Sequence, residues 1–291
     1  MNKTNQYSLL DLFSGCGGLS YGFQQAGFEV IAGIDNWKDA LATFQKNHPT
    51  SQGILMDLAV ASSSKISQQI NKSIDVIVGG PPCQGFSISG KRNPDDPRNL
   101  LYKSFLRVID YFQPKAIVME NVPNMVSMAQ GRIREQILTD LERLGYQVQY
   151  KILLASDYGV PQNRRRVIFV GVPKNYEFNF PIGDFTENKI TCSQAMNDLP
   201  EESMTDGEPY PINPLSSYQK LMRIGSDQVY NHQITKHSQK TINKIAMVPD
   251  GGNYKDLPKH LQGTRKVNIA WTRYSSQKPS LTIDRSESVS L

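Results

Sequence analysis

Cysteine is scarce. The 291 residues hold three, Cys16, Cys83 and Cys192. Three thiols cannot close a set of disulfides, and no Cys or His spacing matches a zinc site, so reduced thiols in a cytoplasmic protein without a metal are expected. Long apolar runs are missing too. Ile152-Leu153-Leu154-Ala155 is among the longest, far short of the roughly 20 residues that cross a bilayer. The first residues, Met1 to Gln6, lack the apolar stretch of a secretory signal. Neither sign of charge dominates: 32 Lys+Arg against 27 Asp+Glu leave +5. That balance permits a nucleic-acid partner without demanding one. Nor is the chain polar enough to stay unfolded, with 38% hydrophobic and 20% charged residues. There is no internal repeat.

The first half alternates strand and helix patterns. Residues 7–13 read as a buried strand running into Ser14-Gly15-Cys16-Gly17-Gly18, then a helix from Leu19 to Ala26 that Gly27 stops. A strand over 29–34 ends at Asp35, and a helix over 37–46 follows with Trp37, Ala40, Leu41 and Phe44 at helical spacing. Ile74–Gly80 is a strand entering Pro81-Pro82-Cys83. A helix over 100–112 precedes a strand over 116–120, and 133–144 is a helix closed by Gly145. Further strands are expected over 148–154 and 167–172, and Ser62-Ser63-Ser64 reads as a short polar loop. Short strands separated by ten-residue helices imply an α/β fold, a parallel sheet with helices on both faces. After about residue 173 this rhythm is lost. Residues 201–276 read as loops and short strands with one helical stretch near His237–Met247, where cations and aromatics interleave, among them Lys236, Lys240, Lys244, Tyr254, Arg265, Lys266, Trp271 and Arg273.

Four places carry possible chemistry. Glycines in Asp11–Gly18 let a backbone approach a ligand and leave helix N–H groups for an anion; they also suit tight packing. Asp35 stands where doubly wound folds reach a ribose diol, and it equally suits the start of the next helix; both roles are compatible. Cys83 follows two prolines at a strand's carboxyl end. Core strands rarely run through two prolines, which favours an accessible thiol nucleophile over a buried structural cysteine. Cys16 and Cys192 lack that setting and read as structural. Glu120, again at a strand end, suits an acid or a substrate hydrogen bond as well as a solvated loop. In Gln162-Asn163-Arg164-Arg165-Arg166-Val167, strand alternation would put Arg164 and Arg166 on one face, toward phosphate or a carbonyl, with Arg165 elsewhere; a plain basic loop is the alternative.

Taken in order, these segments resemble the cytosine-C5 DNA methyltransferases of bacterial restriction-modification systems. The matching blocks are Asp11–Gly18, Asp35, Asp57, Gly79–Ser87, Glu120-Asn121-Val122 and Gln162–Val167. Asn231-His232, Lys236-His237-Ser238, Val248–Gly252 and Lys278–Ile283 extend the match along nearly the whole chain. Pro-Pro-Cys-Gln-Gly-Phe-Ser is similar to the DNA enzymes rather than the tRNA-modifying branch.

The resemblance implies a Rossmann-like S-adenosylmethionine-dependent methyltransferase domain over 1–200 and a smaller, irregular target-recognition domain over 201–276. Residues 277–291 would return to the first domain. It assigns Phe13, Ser14, Gly15, Gly17 and Gly18 to the methionine side of S-adenosylmethionine, Asp35 to its ribose, Asp57 to its adenine, and Pro82 to a cofactor contact. Asn36 stands where the family tends to place an apolar residue against the adenine. It implies that Cys83 adds to C6 of a flipped-out cytosine, Glu120 holds the N3/N4 edge, Arg164 grips O2, and Arg166 positions the nucleophile loop and Glu120. Double-stranded DNA is the implied partner, with a monomer on DNA in the bacterial nucleoid. The family's closing Gly-Asn-Ala/Ser-Val-Pro segment has no counterpart here. An inactive remnant, or one subunit of a split enzyme, is therefore the alternative expectation.

Overall fold

The structure is a computed structural model that describes residues 6–82, 100–202, 205–262 and 272–283. Two compact units divide the chain. Met1–Leu153 with Arg165–Pro181 form the first, and Leu154–Arg164 with Ile182–Leu291 the second.

In the first unit β1 (Ser8–Leu12), α1 (Gly18–Gln25), β2 (Glu29–Asp35), α2 (Lys38–Asn47), β3 (Gln52–Leu55), α3 (Ser63–Gln69) and β4 (Val76–Gly79) follow in order. After them come α4 (Leu100–Phe112), β5 (Ala116–Asn121), α5 (Arg132–Arg143), β6 (Tyr146–Leu154) and β7 (Arg165–Pro173). The sheet runs β3-β2-β1-β4-β5-β7-β6. Its first five strands pair in parallel, while β7 pairs antiparallel to β5. The parallel sheet read from the sequence is therefore mixed. β3 and α3 correct that reading as well. Ser62 is no mere loop residue: its Oγ accepts the Lys65 N–H at 3.3 Å and caps α3.

Strand alternation sorts the core into two layers. Leu10, Leu12 and Ile77 face one side, packed with Ile66 of α3, Phe105 and Ile109 of α4, and Ile137 of α5. Leu9, Val76 and Val78 face the other, with Leu41 and Phe44 of α2. Chain order reverses at β1, which pairs with β2 on one side and β4 on the other. In such sheets this switch point, at the carboxyl ends of the strands, is where ligands bind.

The second unit is less regular. It holds α6 (Cys192–Met196), a two-stranded ribbon of β8 (Glu208–Pro209) and β9 (Gln228–Val229), α7 (Ser217–Met222) and α8 (Gln239–Ala246). α8 matches the one helix expected here; α7 was not expected. Thr191 and Ser216 each make a capping box with the glutamine three residues on, so these short helices start on side-chain bonds. Among the described residues, no helix is long and apolar enough to cross a membrane.

Candidate active site

Four carboxyl ends of the sheet meet at the switch point. Leu12 of β1 pairs with Gly79 of β4 and with Ile34 of β2, and Gly79 pairs with Met119 of β5. The glycine turn after β1, Asp35 after β2, the diproline after β4 and Glu120 near the end of β5 are thus neighbours. Cys83, Gln84–Ser87 and the cationic and aromatic positions Arg265, Lys266 and Trp271 lie outside the described residues.

The turn bends sharply. Phe13 takes φ 59° and Gly15 φ 53°, a left-handed backbone rare for a residue with a side chain. Asp35 straps the turn: Oδ2 accepts the Gly15 N–H at 2.8 Å and Oδ1 the Trp37 N–H at 2.9 Å. Of its two expected roles the structure shows the one at the start of the next helix. It fixes the backbone entering α2, and its remaining lone pairs stay available to a diol. Asn36 is exposed beside it. Asp57 is exposed beyond β3, in a turn closed by its own Oδ1 with the Ala59 N–H at 2.9 Å. Arg107 of α4 holds that turn from beneath, donating to Leu58 O at 2.9 Å and Ala61 O at 2.7 Å.

A cofactor of the implied kind fits these atoms. Ser14 Oγ is buried and has no hydrogen-bond partner among the described residues, a state that a ligand bond would relieve. A Cβ on Gly15 or Gly18 would meet nothing within 4 Å, so the turn opens onto free space. Gly17 differs: it has φ 82°, and a Cβ there would stand 2.6 Å from His48 Nε2. It is shaped by what lies beneath the turn. Asp11, 1% exposed, lies there also, and burial pushes its carboxyl from 3.8 up to about 7. The Asp35 charge adds to the rise, and hydrogen bonds from Ser20 oppose it.

On the other flank, Arg166 Nε meets Glu120 Oε1 at 2.6 Å. Alternation along β7 brings Arg166 to this carboxylate and leaves Arg165 exposed, as the sequence suggests. β7 begins at Arg165, so Arg164 is not on the strand; it sits in the second unit, its C=O accepting the Ala155 N–H at 2.9 Å. Within that unit the loop is tied to the Lys278–Ile283 segment. Asn163 N–H donates to Ser280 O at 2.8 Å and Ser280 N–H to Pro161 O at 2.9 Å. Two motifs more than 100 residues apart thus form one piece of backbone pairing.

Asn121 was named only as part of a motif, and the structure gives it a task. It is buried, donates Nδ2–H to Pro81 O at 2.8 Å, and accepts the Val122 N–H at 2.9 Å. It therefore fixes the approach of the diproline segment. Gly80 fits the same approach, since a Cβ there would stand 3.2 Å from Glu120 Oε2. Pro82 is exposed. Of the cysteines read as structural, Cys192 is buried; Cys16, on the glycine turn, is exposed and corrects that expectation.

Residues 7–286 match the model of the C-5 cytosine-specific DNA methylase family. The Type II methyltransferase M1.HphI of Haemophilus parahaemolyticus is 36% identical over 94% of this chain and 69% of its own length. M.DdeI of Desulfomicrobium norvegicum is 37% identical over 86% of this chain, which spans 63% of that relative. Among solved structures, a prophage-encoded E. coli protein described as a candidate DNA modification methyltransferase superposes with a TM-score of 0.76. It is 26% identical, with 95% of this chain and 82% of that one covered. The chain belongs to the C-5 cytosine-specific DNA methylase family.

Proposed function

We propose that this chain transfers a methyl group from S-adenosylmethionine to C5 of a cytosine in a specific double-stranded DNA sequence, acting as a monomer on bacterial nucleoid DNA. The observation that carries the reading is the convergence at the switch point. The Glu120–Arg166 pair, the Asn121 bond to Pro81 and the Asp35-strapped glycine turn share one edge of one sheet.

The glycine turn with Ser14 would hold the methionine end of the cofactor, Asp35 the ribose, Asp57 the adenine, with Phe13, Asn36 and Pro82 along its length. Bound there, S-adenosylmethionine supplies an activated methyl group. A stacked cytosine is out of reach of any of these side chains, so the base must leave the helix. C5 is a poor nucleophile. Addition of the Cys83 thiolate to C6 makes an enamine with carbanion character at C5. Glu120 protonates or hydrogen-bonds the N3/N4 edge and stabilises the charge that develops. Arg166 keeps Glu120 oriented, and Arg164 takes the O2 side. After transfer a base takes the C5 proton, the C5–C6 double bond re-forms, and the C6–S bond breaks to release Cys83 as its thiolate.

The test is tritiated methyl transfer to unmethylated DNA by the full chain. Wild type should label the DNA. Cys83→Ser should abolish labelling while DNA binding persists, and Glu120→Gln should slow it about 10²–10⁴-fold. Normal turnover by either variant overturns the mechanism. A wild-type chain that binds DNA yet labels it only with a second polypeptide present would favour the split-enzyme alternative.

A further inference from the structure

We propose that Asn47 and His48, at the end of α2, are positioning residues that fix the glycine turn so that Gly18 N–H is offered to the cofactor. The inference rests on that turn being the S-adenosylmethionine site.

Pro49 sets up the arrangement. A residue before proline is driven out of the helical region. His48 accordingly takes φ −126° and ψ 70°, ends α2, and turns its ring inward. The ring is fully buried and lies on Phe44, with centroids 4.5 Å apart. Nδ1 meets the Gln24 carboxamide at 2.5 Å, while Nε2 lies 3.1 Å from Gly17 O and 3.3 Å from Ser20 Oγ. A carbonyl can only accept, so the Gly17 bond places a proton on Nε2. One residue earlier, Asn47 Nδ2 donates to Cys16 O at 2.9 Å. Two consecutive side chains of α2 thus hold two consecutive carbonyls of the turn.

Planar trans peptides convert this grip into aim. In each unit the C=O and the next N–H point in opposite directions. Gly17 O also accepts the Tyr21 N–H of α1 at 2.9 Å; with it held between α1 and His48, and Cys16 O held by Asn47, the N–H groups of Gly17 and Gly18 turn to the opposite sides of their peptide planes. Gly17 N–H closes the turn on Ser14 O at 2.9 Å. Gly18 N–H, at the first position of α1, has no acceptor within its helix, and a Cβ on Gly18 would meet nothing within 4 Å, so a ligand has room beside it. The fit is reciprocal, because any Cβ on Gly17 would collide with His48 and Phe44.

The experiment measures S-adenosylmethionine affinity of the full chain by calorimetry, beside KM and kcat, for four variants. Asn47→Ala should raise Kd and KM for the cofactor about three- to tenfold, the worth of one lost hydrogen bond. His48→Phe keeps the ring on Phe44 and lacks the donor; it should raise both tenfold or more, and His48→Gln should recover most of that loss. Saturating kcat and DNA affinity should stay at wild-type values for Asn47→Ala, a split that a damaged fold would not give. Asp35→Ala separates the two layers of the argument. Unchanged cofactor affinity in Asp35→Ala overturns the cofactor reading itself. Weakened binding in Asp35→Ala, with wild-type binding in Asn47→Ala, overturns the positioning role alone. Should His48→Phe fail to fold, the exposed Asn47 still decides the question.

Discussion

In the first unit, sheet and helices bury Leu9, Leu10, Leu12, Phe44, Phe105 and Phe169 to 1% exposure or less; in the second, the buried apolar side chains among the described residues are Cys192, Val229, Val248 and Leu257. The second unit leaves Ile182 at 83% and Ile224 at 77% exposed. Its order comes from polar contacts. Arg223 pairs with buried Asp198, donates to Ile212 O at 3.0 Å, and stacks on Tyr210 with 3.7 Å to the ring centroid. Gln219, 1% exposed, meets Asn197 Oδ1 at 2.6 Å. Asp250 accepts the Ser276 N–H at 2.8 Å, a bond that holds its carboxyl below the usual range. Apolar burial tolerates volume-conserving change, whereas a hydrogen-bonded network depends on each partner.

The comparison is sharpest if one side chain is removed from each unit. Phe169→Ala, in the middle of β7, deletes a ring that is 1% exposed and lies 5.4 Å from the Tyr150 ring. It should cost about 3–5 kcal/mol of unfolding free energy. Hydrogen exchange should rise across the whole seven-stranded sheet and not between 192 and 229. Exchange that rises equally in both units would show one cooperative core and break the contrast.

Legibility follows the same division. Periodicity and glycine placed β1, α1, β2, α2 and α4 to within a residue or two, because these elements are written in apolar side chains that face a core. α4 falls on 100–112 as expected. β3 is too short and too exposed to carry a period: Gln52 and Leu55 face solvent. α3 hides in a serine run whose signal is a cap. Much the same holds for α6 and α7, whose capping boxes were readable at Thr191 and Ser216 and went unread. In the site, Asp35 and Glu120 were legible from their places at strand ends. Arg166 followed from alternation. Asn121, Asn47 and His48 act on backbone carbonyls distant in sequence, and no local pattern announces such a partner.

Arg223→Met is the matching lesion in the second unit. It keeps much of the side-chain volume and leaves Asp198, whose side chain is 4% exposed, without its cation. An uncompensated buried carboxylate costs about 3 kcal/mol or more, and the loss should appear as faster exchange confined to 192–229. A double variant that also carries Asp198→Asn removes the orphaned charge and should regain part of that stability. If the single variant is neutral, the polar network does not hold this unit together.

Asp11 supplies the most pointed test, because it is an ionisable group inside the apolar unit with no cation against it among the described residues. Where Asp198 has Arg223 against it, Asp11 can shed its charge by binding a proton, which caps the cost. Its folded value, about 7, stands above the ordinary 3.8. Below about pH 4 both folded and unfolded chains carry the proton, and its contribution is fully present. As the pH rises from about 4 to about 7 the unfolded chain ionises first, so stability falls with pH and then levels off. Asp11→Asn cannot ionise. Denaturant unfolding of the two proteins between pH 4.5 and 8 should therefore diverge in favour of the variant up to about pH 7 and run parallel above it. Curves that stay parallel throughout would mean that Asp11 is already ionised near pH 4. The apolar unit would then be stabilising a buried charge through the hydrogen bonds from Ser20 alone, and the contrast between the two units would disappear at that point.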